Sequence, residues 1–278
     1  MYNIYNMSMN DDPILMSHYT AFTEFRRKYE NSGSLNLNDR NFYYPTTLLP
    51  LINFIKENSI NYVPHYNFNV NNYFSVMTNP KMRNLTGSYI PFVELPKENT
   101  DENDVIYELS QFISEPGELN AFGTVISELT DNIYEHACFE EDDVNGYVMA
   151  QRYKDFAEIC ILDNGLTIPR SIEQKYKIES DSQAIQKATQ GFSTKEDKYE
   201  IEANTKKGRG TGLRDSIKLF TKGLNGEILI ISRNGGFYIG NGRPIRYIMN
   251  RDYLEGTLIS IRVPIPLRPY NTNDYFKE

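Results

Sequence analysis

Glu128 and Asn132 are a carboxylate and an amide four residues apart in a segment, 118–138, whose apolar periodicity predicts a helix. Side chains at this spacing share one face of a helix. A carboxylate there can polarise a water molecule, and an amide oxygen can complete the shell of a hard cation. An ordinary solvated helix flank carries the same pair, so the spacing alone leaves both interpretations open.

A second group, Asp163-Asn164-Gly165, follows the apolar segment 157–162, which predicts a strand. An aspartate at a strand end can accept a hydrogen bond from an exocyclic amine, and a glycine lets the backbone approach a flat ring. The same three residues also favour a simple turn.

A third group is the run Gly208-Arg209-Gly210-Thr211-Gly212-Leu213, which opens a predicted helix. Alternating glycines permit unusual backbone angles and leave bare N–H groups at a helix N-terminus, where anions bind. The run is neither a Walker A loop nor a dinucleotide fingerprint. A flexible loop is the alternative. Gly256-Thr257, entering the last predicted strand, is uninformative alone.

The charge distribution draws attention to this third group. The 278 residues contain 29 Lys and Arg against 37 Asp and Glu, a net charge of −8, which argues against a nucleic-acid partner. Between 206 and 222, however, six basic residues accompany one acidic residue, Asp215. Such clusters are usually solvated helix faces, but a basic, glycine-rich segment also suits an anion.

Composition excludes several further classes of protein. No run of 18 apolar residues predicts a membrane span, and the N-terminus lacks the basic start and apolar core of a secretory signal. Two cysteines cannot form a disulfide framework or a four-ligand zinc site. We therefore expect a cytoplasmic protein with no membrane partner.

Hydropathy patterning predicts an α+β protein with mostly antiparallel strands. The predicted helices are 17–29, 46–58, 71–77, 118–138, 181–189 and one beginning near 211. The predicted strands are 35–44, 62–70, 88–95, 146–153, 156–162, 227–232, 237–239 and 256–263, with Asn234-Gly235 as a hairpin turn. The predicted organisation is an N-terminal segment with a short helix (1–32), a small α/β domain (33–98) and a larger domain (99–278).

In this order and spacing, the four groups resemble the motifs of the GHKL, or Bergerat-fold, superfamily of ATPases and kinases. The resemblance covers about residues 100–266. Its N-box resembles 128–132, its two glycine boxes 163–165 and 208–212, and its Gly-Thr box 256–257. It implies a two-layer α/β sandwich with helices on a mixed, mainly antiparallel sheet. It also implies bound ATP with Mg²⁺ and a mobile lid over 166–207.

The resemblance also implies roles for single residues. Glu128 is similar to the general base, Asn132 to the Mg²⁺ ligand, and Asp163 to the acceptor of the adenine amine. Thr257 would support that aspartate. The other implied nucleotide contacts are Gly165 near adenine and, at the phosphates, Gly208, Arg209, Gly210, Thr211, Gly212 and Leu213. Candidates for neutralising the triphosphate on lid closure, or else solvated cations, are Lys195, Lys206, Lys207 and Arg209.

One position departs from the family pattern. Thr167 stands where the family has the second glycine of its first box. A β-branched residue resists positive φ, so the turn must differ, which affects the lid hinge more than adenine recognition.

The run 132–137 resembles anti-sigma-factor-type serine kinases, and 33–98 faintly resembles STAS-like domains. No upstream histidine has a phosphoacceptor context, so a self-contained histidine kinase is not expected.

The expected function is a regulatory protein that binds ATP or ADP and acts as an ATPase or protein serine/threonine kinase. A regulatory protein partner is expected with it. The resemblance also implies that a nucleotide-dependent homodimer is possible, although no segment of the sequence predicts a dimer interface. Two alternatives remain open: a nucleotide-sensing interaction module with negligible catalysis, and a glycine-rich α+β domain that binds no nucleotide.

Overall fold

The computed structural model describes residues 12–82, 88–95, 129, 144–192, 212–240 and 242–265. The predicted helix 118–138 lies outside these ranges except for Leu129, which is helical and buried. The predicted linker after residue 95 also lies outside them.

The described N-terminal part contains three helices and three strands. In chain order they are α1 (Ile14–Ser32), β1 (Leu35–Asn36), α2 (Pro45–Glu57), β2 (Tyr62–Val63), α3 (Phe68–Thr78) and β3 (Tyr89–Glu94). Short 3-10 turns span Leu37–Asp39 and Pro80–Met82.

The rest of the described chain adds six strands and three helices. In chain order they are β4 (Gly146–Arg152), β5 (Phe156–Asp163), α4 (Ile168–Glu173), α5 (Asp181–Thr189), α6 (Gly212–Lys218), β6 (Glu227–Arg233), β7 (Gly235–Gly240), β8 (Arg243–Ile248) and β9 (Leu254–Pro264). A π-helical turn, Leu219–Gly223, continues α6.

Seven of these strands form one sheet in the order β3-β4-β5-β9-β6-β7-β8, and every neighbouring pair is antiparallel. The α+β class and the antiparallel sheet expected from the sequence are thereby confirmed at that level. β1 and β2 form a separate parallel pair. β5 and β9 lie side by side at the centre of the sheet, so their ends are held by ladders on both sides.

Alternate side chains along the strands fill two cores on opposite faces of the sheet. On one face Ile159 and Ile161 of β5 pack with Ile185 of α5 and Ile217 of α6. On the other face Cys160 and Leu162 of β5 and Leu258 of β9 pack with residues of α1 and α2. We call α1 and α2 the N-terminal layer. The sheet and this second core both include residues from each side of the predicted boundary at 98.

Two predicted N-terminal strands are wrong over most of their length. Only Leu35–Asn36 of 35–44 and Tyr62–Val63 of 62–70 are extended strand. In each predicted strand an asparagine starts a helical element instead: Asn36 caps the 3-10 turn by accepting from the backbone N–H of Asn38, and Asn67 caps α3. Asparagine bonds to nearby backbone in this way and so favours caps and turns over strands.

The predicted hairpin turn is displaced by one residue. The ladder pairs Ser232 with Gly235, so Arg233 and Asn234 form the loop, and Arg233 has a φ of +52°. Gly235 is instead packed closely against the start of α5. A Cβ at this position would lie 2.6 Å from the carbonyl carbon of Asp181. β8 and α4 were not predicted. Among the described residues, no helix has the length and apolar character that crossing a membrane requires.

Candidate functional site

Asp163 lies at the end of β5, directly opposite Thr257 of β9 in the ladder. The residue is 5% exposed, and its carboxyl group accepts a hydrogen bond of 3.0 Å from the backbone N–H of Gly165. Burial raises the pKa of Asp163 from 3.8 to about 7, although hydrogen bonds from the backbones of Gly165 and Thr257 oppose the rise. The structure therefore brings together Asp163, Gly165 and Thr257, three of the predicted site residues.

Ser232, at the end of β6, joins three segments around Thr257. Its hydroxyl donates to the carbonyl of Gly256 at 2.8 Å and lies 3.1 Å from the Thr257 hydroxyl. It also accepts from the backbone N–H of Ile168 at 3.2 Å, which ties the start of α4 to the sheet. Sequence reasoning missed Ser232, because a serine ending an apolar strand has no distinctive pattern.

Gly256 allows β9 to approach the end of β5 at unusually close range. Its φ of +92° favours glycine, and an added Cβ would lie 1.9 Å from the carbonyl oxygen of Asp163. The glycine of the Gly-Thr pair is thus required by the backbone packing that sets Asp163 beside Thr257.

Asn164 fixes the chain immediately after Asp163. Its side-chain oxygen accepts from the backbone N–H of Asn145 at 2.6 Å, and its own N–H donates to the Asn145 carbonyl at 3.2 Å. The Asp-Asn-Gly run is therefore anchored to the residue that precedes β4. This anchoring fixes the backbone that directly follows Asp163 at the end of β5.

Thr167 starts a helix. It has an extended conformation (φ −70°, ψ 148°) and its hydroxyl accepts from the backbone N–H of Arg170 at 3.3 Å. The expected departure from a glycine-type turn is thus observed, with helix capping as its physical reason.

The first part of the predicted lid, 166–192, contains α4 and α5. Ile172, Ala184 and Ile185 of these helices are buried, and Arg233 of the sheet forms an ion pair with Glu173. Helix α5 has the bounds expected from the sequence, with Ser180 as its cap. This part of the segment therefore packs on the sheet; 193–207 lie outside the described residues.

Most of the predicted catalytic and phosphate-binding residues lie outside the described part of the chain. They are Glu128, Asn132, Lys195, Lys206, Lys207, Gly208, Arg209, Gly210 and Thr211. Gly212 begins α6, and Leu213 packs partly buried against the core that contains Leu129. Within the described ranges, no group of three or more His, Cys, Asp or Glu residues could hold a metal ion. The expected Mg²⁺ ligand, Asn132, lies outside the described ranges.

Comparisons of the chain with protein-family models, with characterised proteins and with solved structures find no match. The chemistry of the site is therefore argued from its own geometry. A recessed carboxyl group with a pKa near neutrality, fixed by backbone hydrogen bonds, is suited to accept a hydrogen bond from a ligand amine.

Proposed function

We propose that this chain is an ATP-binding regulatory protein of the GHKL type, with an ATPase or protein serine/threonine kinase activity. One observation carries the proposal: the buried Asp163 lies beside Thr257 at the ends of the adjacent strands β5 and β9. These are the two residues that the resemblance assigns to adenine. They are 94 positions apart in sequence, and their meeting is what an adenine site of this type requires.

The fold supports the proposal at a coarser level. Helices α5 and α6 pack on one face of an antiparallel sheet, which is compatible with the two-layer Bergerat sandwich. The N-terminal layer covers the opposite face. Whether residues 33–98 form a STAS-like domain stays a prediction.

Asp163 also gives the proposed site a preference among bases. The amine of adenine donates to a carboxylate, whereas guanine presents a carbonyl oxygen at the corresponding position. At pH 8, where the Asp163 carboxyl group is mostly ionised, two acceptors facing each other in a buried site leave both without a donor, which costs binding free energy. We therefore propose that the site takes ATP or ADP in preference to guanine nucleotides.

The catalytic part of the proposal rests on residues assigned by resemblance. Glu128 would activate water or a protein hydroxyl, and Asn132 would hold Mg²⁺ at the phosphates. The loop 208–212, with Thr211 and Leu213, would hold the phosphates through backbone N–H groups. Lys195, Lys207 and Arg209 are proposed from their charge and not from the resemblance; closure of the lid would bring them to the triphosphate to neutralise it.

A second candidate function is a nucleotide-sensing module with negligible catalysis. Thr167 favours it, because the position expected to act as a glycine hinge starts a helix that packs on the sheet. In such a module the nucleotide would alter a surface read by a regulatory protein. Phosphate release measured without any partner distinguishes the two, since turnover by the chain alone favours the enzyme.

Thermal unfolding with saturating nucleotide tests the binding proposal. At pH 8, where Asp163 is mostly ionised, we expect Mg·ATP and Mg·ADP to raise the Tm and Mg·GTP to leave it unchanged. A ligand at 100 times its Kd stabilises the folded state by about 2.7 kcal/mol, which is readily measured. An equal response to ATP and GTP would contradict the adenine site, and no response to either would reject the proposed function.

Glu128→Ala tests the catalytic assignment. We expect the variant to bind ATP with unchanged affinity and to release phosphate about 100-fold more slowly, as is typical when a general base is lost. Glu118→Ala, at the start of the same predicted helix, is the matched control and should turn over ATP like the wild type. Wild-type turnover by Glu128→Ala would show that another group is the base.

A further inference from the structure

The strands that carry Asp163 and Thr257 are covered on their other face by the N-terminal layer. Side chains alternate along a strand, so Leu162 and Leu258, the neighbours of the two site residues, point away from the site. Both are buried against α1 and α2 in the second core. The position of the proposed adenine site therefore depends on packing across the thickness of the sheet.

Two arginines of helix α1 contact the turn between β8 and β9. Arg27 forms a bidentate ion pair with Asp252: its Nε lies 3.0 Å from Oδ1, and its Nη2 contacts Oδ2. Arg26 donates to the carbonyl of Tyr253 at 2.7 Å, and its Nη2 lies 3.5 Å from Oδ1 of Asp252. Asp252 is only 5% exposed, so this charge is held by the two arginines largely out of water. Asp252 lies four residues before Gly256 in the sequence.

Helix α2 is fastened to the same two strands at a second place. Glu158 of β5 is fully buried and accepts from the backbone N–H of Thr46 at 3.0 Å and from its hydroxyl at 2.6 Å. His18 of α1 lies 3.1 Å from the same carboxyl group. The Thr46 hydroxyl also contacts Ser260 of β9. The Glu158 carboxyl group thus lies against the N-terminus of α2, where the helix dipole stabilises a negative charge.

We propose that the N-terminal layer is a strap that holds β5 and β9 in the relative position that the adenine site needs, with the Arg27–Asp252 ion pair as its outer fastening. Loosening this fastening releases the start of β9, shifts Gly256 and Thr257 relative to Asp163, and weakens nucleotide binding. Arg27 and Asp252 are positioning residues in this scheme. The inference rests on the proposed function for its effect on ATP, but its structural part stands without a ligand.

Hydrogen exchange measured by mass spectrometry tests the strap in the ligand-free protein. In Arg27→Ala we expect the amides of 254–258 and 161–165 to exchange about tenfold faster, while those of 146–152 keep the wild-type rate. Lys28→Ala is the matched control, because this neighbouring lysine pairs with Asp39 and does not touch the turn. Asp252→Asn should reproduce Arg27→Ala, and the double variant should exchange no faster than the more affected single variant.

Measurements of ATP affinity test whether the strap acts on the proposed adenine site. We expect Arg27→Ala to bind ATP about tenfold more weakly than Lys28→Ala, and ATP to slow exchange within α1 of the wild type, because coupling between two sites is reciprocal. Wild-type exchange at 254–258 and 161–165 in Arg27→Ala would overturn the strap, whether or not the protein binds ATP. Faster exchange with unchanged ATP affinity would overturn the proposed effect of the strap on nucleotide binding. If the wild type binds no ATP although exchange responds as expected, the proposed function fails and the structural strap stands.

Discussion

Asp163→Asn is expected to weaken ATP binding about 10- to 100-fold at pH 8 while leaving the protein folded. A hydrogen bond to a charged group contributes about 1.5–3 kcal/mol, and the amide that replaces the carboxylate lacks the charge. Because the two side chains have nearly the same shape, the backbone contacts with Gly165 and Thr257 should keep their places.

The pH dependence of binding sharpens this expectation. Since the pKa of the buried Asp163 is about 7, the free site is mostly protonated at pH 6 and mostly ionised at pH 8. An amine donor binds the ionised form, so a proton must leave when ATP binds below pH 7. Wild-type affinity should fall about tenfold from pH 8 to pH 6, whereas Asp163→Asn should show no such fall.

Asp163 also makes the free energy of unfolding depend on pH. This free energy should fall as the pH rises, whereas the affinity for ATP should increase. An acid whose pKa is higher in the folded than in the unfolded state binds its proton more tightly when folded. Its favourable contribution is present below pH 4 and is lost as the pH rises through about 7, and the full loss is about 4 kcal/mol for a rise from 3.8 to about 7. Relative to the wild type, Asp163→Asn should gain stability as the pH rises from 5 to 8.

Calorimetric titration with ATP and urea unfolding, each at pH 6 and pH 8, measure both effects. Asp155→Asn is the matched control, because this aspartate is exposed in the loop between β4 and β5. It should bind ATP and unfold like the wild type at both pH values. Unchanged ATP affinity in Asp163→Asn would reject the adenine role, and an unchanged pH dependence of stability would show that the carboxyl group is not held protonated near neutrality.

The sequence predicted best those elements whose stabilising contacts are local or repeat along the chain. Helix α5 has a serine cap, and β4 and β5 are joined by a short connection, so pattern and turn chemistry suffice. β8 was not predicted because three of its six residues are exposed and only Tyr247 is fully buried. Its place in the sheet is set by pairing with β7, and Ile245 and Tyr247 on either side of Arg246 form too short an alternation to predict a strand.

The site divides in the same way. Asp163 and Gly256-Thr257 could be proposed as site residues because the order of the motifs resembles a known superfamily, whereas the contacts of Ser232 exist only in the assembled sheet. The N-terminal layer could not be placed for the same reason. Glu158 did carry a clue: a carboxyl group within an apolar strand requires buried donors, and those donors come from residues more than 100 positions away.

Gly256→Ala is expected to cost more than about 4 kcal/mol of folding free energy, with or without nucleotide. The added Cβ would lie 1.9 Å from the carbonyl oxygen of Asp163 and 2.7 Å from the Cα of Asn164. Both are backbone atoms at the end of β5, where Asp163 forms the last pair of the ladder with β9, so the clash is relieved only by separating the two strands there. The left-handed conformation at φ +92° adds its own cost for a residue with a Cβ.

Gly33→Ala separates the two parts of this cost. Gly33 also has a left-handed conformation, with φ +67°, but an added Cβ meets nothing within 4 Å. It should therefore lose only about 1 kcal/mol, the conformational part. Urea unfolding of both variants at low temperature measures the difference, and a loss in Gly256→Ala that matched Gly33→Ala would show that β5 and β9 can part at this point.

The two variants at the site should consequently fail in different ways. Asp163→Asn keeps the packing and removes the charge, so the protein stays folded and binds ATP poorly. Gly256→Ala keeps the charge and removes the packing, so stability falls even when no ligand is present. A site that served only to close the sheet would show the second effect without the first, because its carboxyl group would then have no nucleotide to recognise.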